Sequence, residues 1–140
     1  MNILFFLTPK SECEHLYDDE SIREALERME LAGYKALPIL NKKTGAYRGT
    51  LTEGDLLWAL KNLCDFDLKR AERRSIMEIE HRRDNIPVTV TADIRDLLAK
   101  ATEQNFVPVV DDRGSFIGIV TRKAIMRHYI ATQVAAKRAR

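Results

Sequence analysis

Cysteine and histidine are scarce in this 140-residue chain, with two and three copies, and the scarcity excludes several chemistries. Cys13 and Cys64 stand far apart and in no metal-ligand spacing, so reduced thiols in a cytoplasmic protein are the simplest expectation. His15, His81 and His128 share no close spacing, and Cys13-Glu14-His15 alone cannot complete a coordination shell. No metal site is expected. No serine, cysteine or lysine is paired with a base in a repeated constellation, which argues against catalysis. Long apolar runs are also missing. Ile3 to Leu7 is too short to span a bilayer and lacks the basic start of a signal peptide. It reads as a buried strand or a loosely packed arm. Neither charge dominates: 23 basic against 21 acidic residues leave a net +2, so bulk composition points to neither nucleic acid nor membrane. Basic residues cluster only locally, at Lys69-Arg70, Arg73-Arg74, Arg82-Arg83 and Lys137-Arg138-Ala139-Arg140.

The length suits one ordinary domain or two very small ones fused, and an internal repeat favours two. Ser21-Ile22-Arg23-Glu24-Ala25-Leu26 has its counterpart in Asp93-Ile94-Arg95-Asp96-Leu97-Leu98. Each opens with an N-cap residue and carries an acid three positions later, the start of a capped helix. Ile22, Ala25, Leu26 and Met29 form one apolar stripe, and Ile94, Leu97, Leu98 and Ala101 form the matching one. An extended apolar run with a proline follows in each copy, Ala36 to Leu40 and Phe106 to Val110. Proline donates no ladder hydrogen bond, so Pro38 and Pro108 are expected at a strand start or edge. Polar turns ending in Gly45 and Gly114 lead to returning strands, Ala46 to Leu51 and Ser115 to Val120. Both strands finish in Gly-x-x-Thr, at Gly49 to Thr52 and Gly118 to Thr121. Helices follow from Thr52 to about Leu63 and from Thr121 to about Ala136, with ends set only to ~2–4 residues. Cys64 to Asn85 is a charged linker, helical near Ser75 to Ile79. Ile86 to Val90 is a short strand, matched in the first copy by the region around Cys13 to Tyr17.

This pattern strongly resembles the cystathionine-β-synthase (CBS) domain family, as a tandem pair or Bateman module. The resemblance rests on the helix, the Leu-Pro-Ile-Leu or Val-Pro-Val-Val strand, the glycine turn and the Gly-x-x-Thr-x-x-Asp ending, and covers about Thr8 to His128. It implies an α/β chain of the α+β type, with two β-α-β-β-α repeats packed in pseudo-twofold symmetry. The divisions are 1–63 for the first repeat with its N-terminal arm, 64–85 for the linker, 86–136 for the second repeat and 137–140 for the basic tail. No appended catalytic or transport domain is visible, so a stand-alone module is expected. The family also implies a non-enzymatic, regulatory sensor with no required cofactor, often a homodimer. Its adenosine ligand (AMP, ADP, ATP, S-adenosylmethionine or cyclic di-AMP) would lie in an inter-repeat cleft, and a regulated partner protein would read its presence.

By motif position, Thr52 meets phosphate and Asp55 the ribose hydroxyls, with Gly49 at the strand. The second copy keeps Gly118 and Thr121 but has Ala124 at the aspartate position, and a methyl group accepts nothing from ribose. Arg122 and Lys123 follow Thr121 and suit a phosphate-rich ligand. Gln104 to Pro108 and Thr121 to Lys123 are similar to small cyclic di-AMP-binding modules. Leu37, Pro38, Val107 and Pro108 would line the clefts around adenine, and Thr8 and Lys10 would close one from the N-terminal side. Plainer explanations stand beside these. Thr52 with Asp55 makes an ordinary capping box, and Thr121 a plain N-cap. Leu37-Pro38 and Val107-Pro108 make strand core, and Thr8 to Lys10 an exposed arm. Trp58 and Tyr129 suit core or dimer contacts. The Arg-rich linker could hold RNA or DNA, but no aromatic platform accompanies it. A ligand-free dimerisation module is the competing function.

Overall fold

The computed structural model describes residues 2–80 and 82–139; Met1, His81 and Arg140 lie outside the described residues. Two compact units form, Glu14–Asp84 and Met1–Cys13 with Asn85–Arg140.

The first unit contains α1 (Ile22–Ala32), β3 (Ala36–Leu40), β4 (Tyr47–Thr52) and α2 (Glu53–Asn62), with the short strand β2 (Leu16–Tyr17) and short helix α3 (Leu68–Ala71). Its sheet runs β2-β3-β4, the first pair parallel and the second antiparallel. Ser21 and Glu24 close a capping box at the start of α1, and Gly33 ends that helix in the left-handed conformation. Ile22, Ala25 and Met29 are buried in one core with Leu16, Leu37, Ile39, Leu51 and Leu56, and Leu26 packs against it half-covered. Ser75 caps a 3-10 turn, Ile76–Glu78, in the linker.

The second unit repeats the plan with β5 (Val88–Thr89), α4 (Ile94–Glu103), β6 (Phe106–Val110), β7 (Phe116–Thr121) and α5 (Arg122–Arg138). Its sheet has a fourth strand, β1 (Thr8–Pro9), in the order β1-β7-β6-β5. The two hairpins correspond in detail. Each shifts register at its end, between Ile39 and Leu40 and between Val109 and Val110. Gly45 and Gly114 take positive φ in the two turns, at 76° and 82°.

Several expectations need correction. Ile3–Phe6 is neither a strand nor a loose arm but a 3-10 helix capped by Asn2, with Ile3 and Phe6 buried in the second unit's core. They are three positions apart, one turn of such a helix, so both face inward. The N-terminal arm, grouped by sequence with the first repeat, pairs instead with β7 of the second. Pro38 and Pro108 lie mid-strand in β3 and β6, which are central strands. They are tolerated because β2 and β5 meet these strands only from Ile39 and Val109 onward, so the proline positions are locally an edge. Leu98 is 41% exposed, outside the stripe kept by Leu97 and Ala101. Trp58 and Tyr129, at 58% and 62% exposed, are not core.

Candidate functional site

In the unit Glu14–Asp84, β4 runs directly into α2. Thr52 is both the last strand residue and the N-cap, in extended conformation. Its Oγ1 accepts from the Asp55 N–H at 3.0 Å, and Asp55 Oδ2 accepts from the Thr52 N–H at 2.9 Å. Glu53 and Asp55 both sit in the first helical turn. Two carboxylates against the positive helix end make this corner better at accepting from hydroxyl groups than at holding phosphate. A Cβ at Gly54 would meet only Thr52 Oγ1, at 3.7 Å, so the helix start is open there.

Leu37, Pro38 and Gly49 lie beneath this corner. Leu37 pairs with Leu51, Pro38 with Thr50 and Ile39 with Gly49. Leu37 and Pro38 are buried as strand core. The room that glycine provides at position 49 is taken by Asp84, whose carboxylate accepts from the Thr50 N–H at 2.9 Å and from Arg82 Nε at 3.2 Å. Nothing in the sequence pattern distinguished Asp84 from other linker acids.

The other unit holds the remaining candidates. Thr121 caps α5 with Oγ1 accepting from the Ala124 N–H at 3.1 Å, and Ala124 returns nothing. The first turn of α5 contains no acid, so this corner favours anions where its counterpart does not. Arg122 is committed elsewhere: Nε donates to the Ala101 carbonyl and Nη2 to the Thr102 carbonyl at 3.1 Å, closing the C-terminal end of α4. Lys123 is exposed. Val107 and Pro108 are buried in β6, as Leu37 and Pro38 are in β3. Thr8 pairs with Ile119 across β1 and β7, and Lys10 begins the 3-10 turn that follows. Cys13 Sγ contacts the Thr8 carbonyl at 3.4 Å, and burial pushes the thiol pKa up. The structure therefore brings Leu37, Pro38, Gly49, Thr52 and Asp55 together, and separately Thr8, Lys10, Val107, Pro108, Thr121, Arg122 and Lys123.

Beside α2 a groove of about 450 Å³ is lined by Asp55, Trp58, Arg74, Met77, Glu78 and Glu80 among others. It was not visible in sequence, because the linker residues that wall it carry no motif. The linker's arginines are largely paired: Arg70 with Asp65 and Asp67, Arg74 with Glu78, and Arg82 with Asp84. Such neutralisation suits a solvated face better than a phosphate track. No group of metal-binding side chains occurs among the described residues, and no helix there is long and apolar enough to cross a membrane.

The sequence matches the CBS domain model twice, over residues 8–62 and 76–131. The chain belongs to the CBS domain family. No curated protein matches it significantly. Among solved structures, CbpB in complex with cyclic di-AMP is 18% identical at a TM-score of 0.90, covering 100% of this chain and 91% of that one. A CBS domain protein from Streptococcus pneumoniae TIGR4 is 26% identical at 0.79, covering 91% of this chain and 86% of that one. CBSX2 in complex with AMP is 22% identical at 0.73, covering 94% and 98%. At these identities the CbpB and CBSX2 likenesses establish the shared CBS-pair fold.

Proposed function

We propose that this CBS pair is a regulatory sensor of an adenine nucleotide, with no catalytic step of its own. The observation that carries this reading is the strand-to-helix corner of the first repeat. There Thr52 and Asp55 are fixed by their mutual hydrogen bonds at an open helix start. Asp55 accepts from the ribose hydroxyls, and Thr52 meets phosphate only through its hydroxyl, since Glu53 and Asp55 leave this helix start without a net positive charge for an anion. The Gly49 backbone flanks the base only by displacing Asp84, and Leu37 and Pro38, buried in β3, stay beneath as strand core. The second corner, with Thr121 and Lys123 and no acid, takes phosphate, with Val107 and Pro108 beneath and Thr8 and Lys10 alongside. Arg122 joins only by giving up the α4 carbonyls. Two fold neighbours were solved with cyclic di-AMP and AMP, which supports choosing those ligands first. A ligand that favours one conformation shifts the population, and a partner protein reads the shift. The protein is cytoplasmic and acts as a homodimer, a reading supported by the exposed apolar side chains of α2 and α5.

Calorimetric titration with AMP, ADP, ATP, S-adenosylmethionine and cyclic di-AMP tests the ligand. At ~100-fold excess over Kd, the cognate nucleotide stabilises the fold by about 2.7 kcal/mol. No heat and no thermal shift with any of the five would leave self-association as the function.

A further inference from the structure

β4 is the edge strand of its sheet, and an edge N–H pairs with whatever acceptor reaches it. At Thr50 that acceptor is a linker side chain. Asp84 Oδ1 accepts from the Thr50 N–H at 2.9 Å and lies 2.5 Å from where a Cβ on Gly49 would be. The same oxygen accepts from Arg82 Nε at 3.2 Å, and Arg82 Nη1 donates to the Ile79 carbonyl at 3.1 Å. The Arg82 side chain, folded back on its own segment, is only 11% exposed, against 43% for Asp84. Neither residue belongs to the core of this unit. Asp84 is therefore held by two hydrogen bonds and not by burial, and it can leave without opening the core.

We propose that Asp84 is an internal competitor of the nucleotide: it covers Gly49 and Thr50, and an entering ligand expels it and releases Arg82 with its linker segment. This inference rests on the nucleotide reading above. The ligand brings an acceptor of its own to the Thr50 N–H, so the exchange leaves no backbone donor unpaired. The expelled carboxylate and the freed guanidinium pass into water, which solvates both. Only the open form binds, so the apparent affinity is lowered by the fraction of molecules that are open. Two hydrogen bonds to a carboxylate favour the closed form about tenfold or more. Residues 82–84 are then the two-state element of the sensor, docked on β4 in one state and released by the ligand in the other.

Calorimetric titration of the full chain tests this, using wild type, Asp84→Ala and Asp84→Asn with AMP and with adenosine, and thermal melting checks that each variant folds. Adenosine has no phosphate, so it separates displacement from repulsion between two anions. Asp84→Ala binds both ligands about tenfold or more tighter than wild type. Asp84→Asn keeps an oxygen for the Thr50 N–H and gains less, again with both ligands. A gain confined to AMP and equal in the two variants overturns the competition, because Asp84 then acts only as a nearby charge. Unchanged or weaker binding by Asp84→Ala, while wild type still binds AMP, also overturns it and leaves the nucleotide reading standing. If neither wild type nor Asp84→Ala binds either ligand, the nucleotide reading fails and the competition fails with it. Wild type alone supplies a second readout. Saturating AMP quickens trypsin cleavage after Arg82 severalfold, since that side chain is sheltered only while it holds Asp84. Cleavage that slows or stays constant overturns the release of the linker.

Discussion

The carboxylate of Asp84 fills the space a side chain at Gly49 would need: an added Cβ would lie 2.5 Å from Asp84 Oδ1. Gly118, at the same place in the second repeat, makes room instead for the Thr8 carbonyl, 2.2 Å from where its Cβ would be. The same glycine thus serves two devices. In one repeat a linker side chain satisfies the edge of β4 at the Thr50 N–H. In the other, β1 covers the edge of β7.

Alanine at these two positions separates the devices. Asp84 can swing away, so Gly49→Ala costs about 1–3 kcal/mol, from the lost edge bond and the φ of 144°. At Gly118 the obstacle is backbone. Gly118→Ala costs more, because β1 must leave β7, and urea unfolding of the two variants ranks them. An equal loss would show that β1 shifts as easily as a side chain.

The two N-caps are superimposable in conformation, Thr52 at φ −105°, ψ 162° and Thr121 at φ −103°, ψ 155°. Ala124→Asp therefore completes a capping box in the second repeat and stabilises the protein by about 0.5–1 kcal/mol. Asp55→Ala does the reverse in the first repeat and also weakens AMP about tenfold or more, since an ionised acceptor is lost. Calorimetry on Asp55→Ala with unchanged AMP affinity would remove the ribose role.

Arg122 holds two carbonyls at the end of α4. Arg122→Ala costs about 1–2 kcal/mol, and Arg122→Lys recovers little, because an ammonium does not span both acceptors as a guanidinium does. Hydrogen exchange should quicken first near Ala101 and Thr102. Lys123→Ala leaves stability within about 0.5 kcal/mol, so any loss of affinity for phosphate-rich ligands there reports binding alone.

Much of this was legible in the sequence, for local reasons. The stripe Ile22, Ala25, Met29 and the caps Ser21 and Thr52 are set by residues a few positions apart, and so is the Gly45 turn. The CBS assignment followed from the same residues. The rest depends on partners distant in sequence. Thr8-Pro9 is too short to show a strand period, and its partner Ile119 lies more than a hundred positions away. Asp84 acts 34 residues from Thr50. Arg122 read as a phosphate ligand because its spacing after Thr121 was visible and the α4 carbonyls were not. Trp58 and Tyr129 could be placed on helices but not on a face, since each is flanked by residues of both kinds.

Glu20 offers a pH signature of the first repeat. It is 5% exposed, paired with Arg28 and accepting from the Tyr17 N–H at 3.2 Å. Burial outweighs the Arg28 charge and raises its pKa above the ordinary 4.5. The native state then binds this proton more tightly than the unfolded state. The contribution is complete below pH 4.5 and is lost as pH rises through the raised value. Glu20→Gln cannot titrate. The stability of wild type relative to Glu20→Gln, from urea unfolding at a series of pH values, should therefore fall as pH rises through that window and then level off. A difference that grows in favour of wild type over the same window would mean that Arg28 holds the carboxylate more strongly than burial opposes it.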